Sequence, residues 1–156
     1  MGSELAEGTK GLLPIDDSYA VTYLPRTRER VAEHGFDQSL RLAQELGYAL
    51  GLPLLHLLKR TRHGKMQKAI SSSSAREKNA SASLLLAKDA ARLAEGRRIL
   101  LVDDVVTSGA SMRAAARLLR QAGAREIIAV SVAVVTRTRN LKTEAEKNSR
   151  LPWYMR

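Results

Sequence analysis

The chain has 156 residues, 44% of them hydrophobic, and 26 Lys and Arg against 16 Asp and Glu give it a formal charge of +10. That length suits one domain with a sizeable core. The complete lack of cysteine excludes a disulfide scaffold, a Cys-based zinc site and a thiol nucleophile, and no apolar run approaches the roughly 18–20 residues of a membrane-spanning helix.

Residues 1–18 mix polar residues with Gly2, Gly8, Gly11 and Pro14, and read as a flexible lead or a shortened first helix. They lack the basic and then apolar regions of a secretory leader, so the cytoplasm is the default compartment. A domain is expected over 19–137, followed by a basic tail at 138–156. Residues 19–24, rich in β-branched and aromatic side chains and stopped by Pro25, predict a strand. A basic loop with Arg26, Arg28 and Arg30 follows. The spacing of Leu40, Ala43, Leu46, Gly47 and Leu50 predicts a helix over 37–50, with Asp37 as N-cap and Gly51 with Pro53 as its stop.

The short apolar run 54–58 predicts a second strand. Residues 59–78 hold seven Lys or Arg against the single acid Glu77, with four serines at 71–74. So long a polar connection in a compact domain points to a functional loop. A short helix is expected over 87–95. The continuous apolar run 99–102 predicts a strand buried on both faces. A helix over 111–122 is read from Met112, Ala115, Ala116, Leu119 and Ala122, and a further buried strand is expected at 127–135. Strand, helix and strand form a right-handed βαβ unit, so at least part of the sheet is parallel.

The most informative string follows the 99–102 run: Asp103 and Asp104, then Val105, Val106, Thr107, Ser108, Gly109, Ala110 and Ser111. Gly109 lets backbone approach an anion, and the helix start favours negative charge. The hydroxyls of Thr107, Ser108 and Ser111 add donors. There is no Gly-Lys-Ser/Thr ending, which sets the loop apart from a Walker A phosphate loop. Two carboxylates facing a phosphate would repel it, so their better use is to accept hydrogen bonds from a vicinal diol with a cation nearby. The ligand these residues imply is a sugar phosphate, bound at the carboxyl ends of parallel strands. His34, His56 and His63 lack metal-ligand spacing, and no protein metal centre is read.

This string resembles the phosphoribosyl pyrophosphate (PRPP) signature of type I phosphoribosyltransferases. More of the chain, roughly 19–136, is similar to the ComF family of competence-associated proteins. The residues that carry this likeness are Leu24-Pro25-Arg26, the run His34-Gly35-Phe36-Asp37-Gln38, Gly51-Leu52-Pro53, Lys59-Arg60, Gln67, Arg76 and Asn79. His34 stands where Arg is usual in that family and Asp37 where Asn is usual, and the cysteines of its common zinc module have no counterpart.

The resemblance implies an α/β type I phosphoribosyltransferase fold, a Rossmann-like, mostly parallel twisted sheet flanked by helices. It implies that Asp103 and Asp104 hold the ribose hydroxyls, and that Thr107, Ser108, Gly109, Ala110 and Ser111 hold the 5′-phosphate. Pro25, Arg26 and Arg28 would meet pyrophosphate, Mg2+ would enter with PRPP, and the chain would form a homodimer. Two functions remain open. One is a PRPP-binding module of DNA uptake, acting with single-stranded DNA or a helicase. The other is a nucleobase phosphoribosyltransferase of nucleotide salvage. Charge does not choose between them, because phosphorylated small molecules and nucleic acid are both anionic.

Overall fold

The computed structural model describes residues 2–61 and 83–135. Helix α1 (Gly2–Leu12) precedes β1 (Tyr19–Tyr23), and two helices follow, α2 (Arg28–His34) and α3 (Gln38–Leu50). Then come β2 (Leu58–Arg60), β3 (Leu84–Leu86) and the short α4 (Ala90–Ala94). The chain closes with β4 (Arg98–Val106), α5 (Ala110–Gln121) and β5 (Glu126–Val134). Strands β1, β4 and β5 form a parallel sheet in that order, while β2 and β3 pair antiparallel as a separate ribbon.

Strand β4 sits in the middle and alternates its side chains between two cores. Ile99 and Leu101 enter one with Met112, Ala115 and Leu119 of α5; Leu100 and Val102 enter the other with Leu42, Ala43 and Leu46 of α3 and Ala6 of α1. A strand buried on both faces has to be apolar at every position, which accounts for the unbroken run 99–102.

Helix α3 begins where Asp37 accepts the amide of Leu40 through its side chain, and it ends at Gly51, whose φ of 68° an L-residue adopts only with strain. Its inward face is Ser39, Leu42, Ala43, Leu46 and Gly47. The predicted face shares Ala43, Leu46 and Gly47 with this one, but Leu40 and Leu50 are only half-buried, and Ser39 and Leu42 take the buried positions at its margin.

Other predicted elements also differ. The basic loop is short, because Arg28 opens α2 and is exposed. Residues 54–58 do not form a strand: Leu54 makes a single parallel bridge to Val21, and pairing resumes only at Leu58 in the β2–β3 ribbon. One reason is that Pro53 precedes the bridge and the chain must turn away to reach β3. Strand β4 continues through both aspartates to Val106, because Val105 and Val106 still pair with Ala133 and Val134. Strand β5 is not buried throughout: at its carboxyl end Val132 and Val134 are exposed, since no described element covers them. Residues 62–78 of the predicted basic loop and the tail 138–156 lie outside the described residues.

Leu46 is fully buried between α3 and the sheet, whereas Tyr48, two residues on, is 92% exposed. Leu46→Ala should cost about 2–5 kcal/mol in urea unfolding, while Tyr48→Ala should stay within about 0.5 kcal/mol.

Candidate functional site

The chain leaves β1 through α3 on one face of the sheet and leaves β4 through α5 on the other. Adjacent parallel strands whose connections diverge in this way open a cleft at their carboxyl ends, the usual ligand position of open α/β sheets. A cavity of about 530 Å3 lies there. Its walls are the 24–27 segment after β1, Arg60 of β2, and the 103–112 stretch that runs from β4 into α5.

The acidic pair forms one wall. The Ser39 hydroxyl of α3 donates to Asp103 Oδ1 at 3.0 Å and lies 3.4 Å from Asp104 Oδ1. The Asp104 amide also donates to Asp103 Oδ1, at 3.0 Å. Arg26 forms an ion pair with Asp104, and both side chains are only 13% exposed. Arg26 Nε is buried and has no hydrogen-bond partner among the described residues.

These surroundings split the two acids. Burial pushes Asp103 up to about 7, against the lowering effect of the Ser39 hydrogen bond, and the neighbouring Asp104 carboxylate pushes it further up. Burial also acts to raise Asp104, but the hydrogen bond and charge of Arg26 outweigh it and hold Asp104 below the ordinary carboxylate range. Arg26 is in turn held charged by its hydrogen bond to Asp104. The pair shares its protons: the last one to leave resides on Asp103, and the fixed negative charge resides on Asp104 opposite the guanidinium.

The facing wall is the start of α5. Gly109 takes a left-handed conformation, φ 70°, at the N-cap, and offers no side chain to cap the first turn. The Ala110 amide reaches the Ser108 hydroxyl at 3.4 Å, and the turn lies where the helix dipole favours an anion. The loop is braced from outside, with Arg113 donating to the Ser108 carbonyl at 3.1 Å. Thr107 and Ser108 are exposed on the rim.

Of the residues predicted from sequence, Asp103, Asp104, Thr107, Ser108, Gly109, Ala110, Ser111, Pro25 and Arg26 all line this one cavity. Arg28 does not; it lies at the start of α2, outside the lining. Thr27, inside the predicted loop after β1, and Arg60, from the start of the predicted basic stretch, join the wall, and Ser39 and Asp37 support it from behind. Arg60 donates to the Pro25 carbonyl at 2.8 Å and to Ser83 Oγ at 2.6 Å, which places it on the ribbon and not in a loose loop. The available signal for Ser39 was a small polar residue one position off the apolar stripe of α3. Among the described residues no three His, Cys, Asp or Glu converge as metal ligands.

The sequence pattern of the phosphoribosyl transferase domain matches residues 37–153, three quarters of the chain. The chain belongs to the phosphoribosyltransferase domain family. It is 34% identical over 111 residues to Competence protein F of Haemophilus influenzae, covering 69% of this chain and 47% of that one. To Competence protein ComFC of Bacillus subtilis it is 32% identical over 110 residues, covering 69% of this chain and 41% of that one. The chain thus spans less than half the length of either competence protein. In fold it resembles phosphoribosylpyrophosphate synthetase from Mycobacterium smegmatis, with a TM-score of 0.55 at 22% identity over 88% of this chain and 34% of that one. The type I phosphoribosyltransferase architecture expected from the sequence is the one observed, and the likeness to ComF proteins extends across most of the domain.

The split acids give a signed pH dependence. Asp103 has a folded pKa above its ordinary value, so the folded state retains a proton that the unfolded chain releases between about pH 4 and 7. Its contribution to stability is present below that window and is lost as pH rises through it. Asp104 acts in the opposite sense, stabilising above its unfolded value and losing this as pH falls. Asp103→Asn copies the protonated form, so it should melt above the wild type at pH 8, with the difference shrinking towards pH 5. Calorimetric melting at both pH values measures this.

Proposed function

We propose that this chain binds PRPP, or a related ribose phosphate, together with Mg2+ in the cavity between β1 and β4, and that it serves DNA uptake as a ComF-like protein. The observation that carries the reading is the meeting, in one cavity, of the acidic pair with the first turn of α5, whose N-cap residue is a glycine. A vicinal diol donates to carboxylates, and a phosphate accepts from helix-start amides; a pentose phosphate presents both at that separation of chemistry. In this reading Asp103 and Asp104 hold the ribose hydroxyls, and the amides and hydroxyls from Thr107 to Ser111 hold the 5′-phosphate. Pro25, Arg26 and Thr27 meet the pyrophosphate. Arg28, exposed outside the lining, adds only charge at a distance.

The donor set suits Mg2+. Two carboxylates offer hard oxygens, which fits an ion that takes most of its coordination from ligand phosphates and water. Asp103 and Asp104 are the side chains that would hold it, and its chemistry there is to offset the charge of the pyrophosphate. Arg26 and Arg60 add fixed cations to the same wall.

The role in DNA uptake is supported by the likeness to two competence proteins and by a basic surplus that a small-ligand cavity does not use up. Single-stranded DNA or a helicase of DNA uptake is the partner this suggests. An active nucleobase transferase is the second reading. What favours it is a hollow of about 480 Å3 that shares Asp104 and Val105 with the acidic wall and is edged by Phe36, Leu42 and Val132, with Gln38, Arg41 and Glu45 supplying polar groups, a mixed surface on which a planar acceptor could rest.

Calorimetric titration with PRPP and Mg2+ should show binding by the wild type. Asp104→Asn should weaken it roughly tenfold or more, as expected for losing a hydrogen bond to a charged acceptor. Affinity should rise from pH 6 to pH 8, since the ligand hydroxyls favour an ionised Asp103. No PRPP binding by the wild type would remove the reading. Pyrophosphate release across a panel of nucleobases then separates an enzyme from a binding module. Binding to single-stranded DNA should fall steeply with added salt, and an affinity indifferent to salt would discard the electrostatic account.

A further inference from the structure

The segment after β1 and the helix that supports the acidic pair are separate parts of the chain, and one side chain joins them. Asp37 lies immediately before α3. Its Oδ1 accepts the Leu40 amide at 3.2 Å, the ordinary N-cap bond. Its Oδ2 accepts the Arg26 amide at 2.9 Å, eleven residues back along the chain. Arg26 carries the guanidinium paired with Asp104, and α3 carries the Ser39 hydroxyl that donates to Asp103. A single carboxylate thus fixes the segment that holds the cation and the helix that holds the acids.

Capping α3 needs only one acceptor. The second oxygen is engaged outside the helix, on the amide of a residue that lines the cavity. We propose that Asp37 is a positioning residue for the pyrophosphate end of the ligand, holding the 25–27 segment in place against the acidic pair in addition to capping α3. The proposal rests on the ribose phosphate reading above. The charge of Asp37 also reaches the Arg26 guanidinium and helps to keep it ionised.

Asp37→Asn separates the two jobs. Asparagine is as good an N-cap as aspartate, but it has one carbonyl oxygen, and its amide nitrogen is a donor that cannot accept from the Arg26 amide. The first readout needs no ligand: hydrogen exchange followed by NMR. The Arg26 amide should exchange roughly tenfold faster in Asp37→Asn, as for the loss of one hydrogen bond to a charged acceptor, while the Leu40 amide keeps its protection.

The second readout is calorimetry with Mg2+ and either inorganic pyrophosphate or ribose 5-phosphate. Pyrophosphate should bind about five- to tenfold more weakly to the variant, with ribose 5-phosphate unchanged. Asp37→Ala, which removes the cap as well, should lower the melting temperature and weaken both ligands. Unchanged protection of Arg26 in Asp37→Asn, or equal weakening of both ligands, would overturn the proposal. If the wild type binds neither ligand, the ribose phosphate reading fails and takes the ligand half of the proposal with it. The exchange data still decide whether Asp37 holds the loop.

Discussion

Strand β4 must satisfy two environments along nine residues, and the rest of the molecule is arranged around that demand. Its first half is enclosed between α3 and α5, where an ionised side chain would be costly, and every position from Ile99 to Val102 is a fully buried hydrocarbon. Its second half emerges at the end of the sheet, where two adjacent carboxylates are half-buried. They remain there because each is given a partner: Ser39 for Asp103 and Arg26 for Asp104. Both partners come from elements that the apolar half of the strand holds in place. The core thereby sets the geometry of the site, and a loss of packing at α3 would reach Asp103 through Ser39.

The electrostatics of the cavity differ from those of the chain as a whole. The sequence carries +10, yet around the acidic pair the cations and anions are closely matched. Arg26 is answered by Asp104, with Asp103 and Asp37 also contributing to its field. A phosphate entering this cavity gains less from net charge than from oriented donors, namely the first-turn amides of α5 and the hydroxyls beside them. Much of the basic surplus of the sequence belongs to residues outside the described ones.

How much of this was readable from the sequence follows from the range of the interactions involved. The string from Ile99 to Ser111 encodes its own structure, because a buried strand, a tight turn and a helix start are local events with strong residue preferences. The residues on both sides of the cavity could be named there by number. Asp37 as the cap of α3 and Gly51 as its end are equally local. What could not be read depends on contacts between distant segments. The inward face of α3 is set by where β1 and β4 lie, so periodicity alone gives its centre, Ala43, Leu46 and Gly47, but not its margin at Ser39 and Leu42. The end of β5 was taken as buried because Val132, Val134 and Val135 are apolar, but burial depends on a neighbour, and no described element supplies one. The basic stretch after residue 58 was taken as one loop, whereas Lys59 and Arg60 pair with Leu85 and Leu84 on a strand 24 residues further along.

Ser39 shows most clearly why a site residue can go unnoticed. A hydroxyl on the buried face of a helix is neutral to unfavourable for the helix itself, and burying it unpaired costs free energy. From sequence it reads as a small interruption in an apolar stripe. In the fold it is completely enclosed, and its partner is a carboxylate 64 residues away that burial would otherwise drive strongly towards its neutral form. Alanine would pack as well and propagate the helix better, but it would leave Asp103 with one donor fewer and more firmly protonated. The choice of serine is therefore explained by the ionisation of the acid and not by the helix. An acid kept close to its ionisation point can receive a ligand's hydroxyl donors by giving up a single proton, whereas one buried without that hydroxyl would remain neutral and accept them poorly.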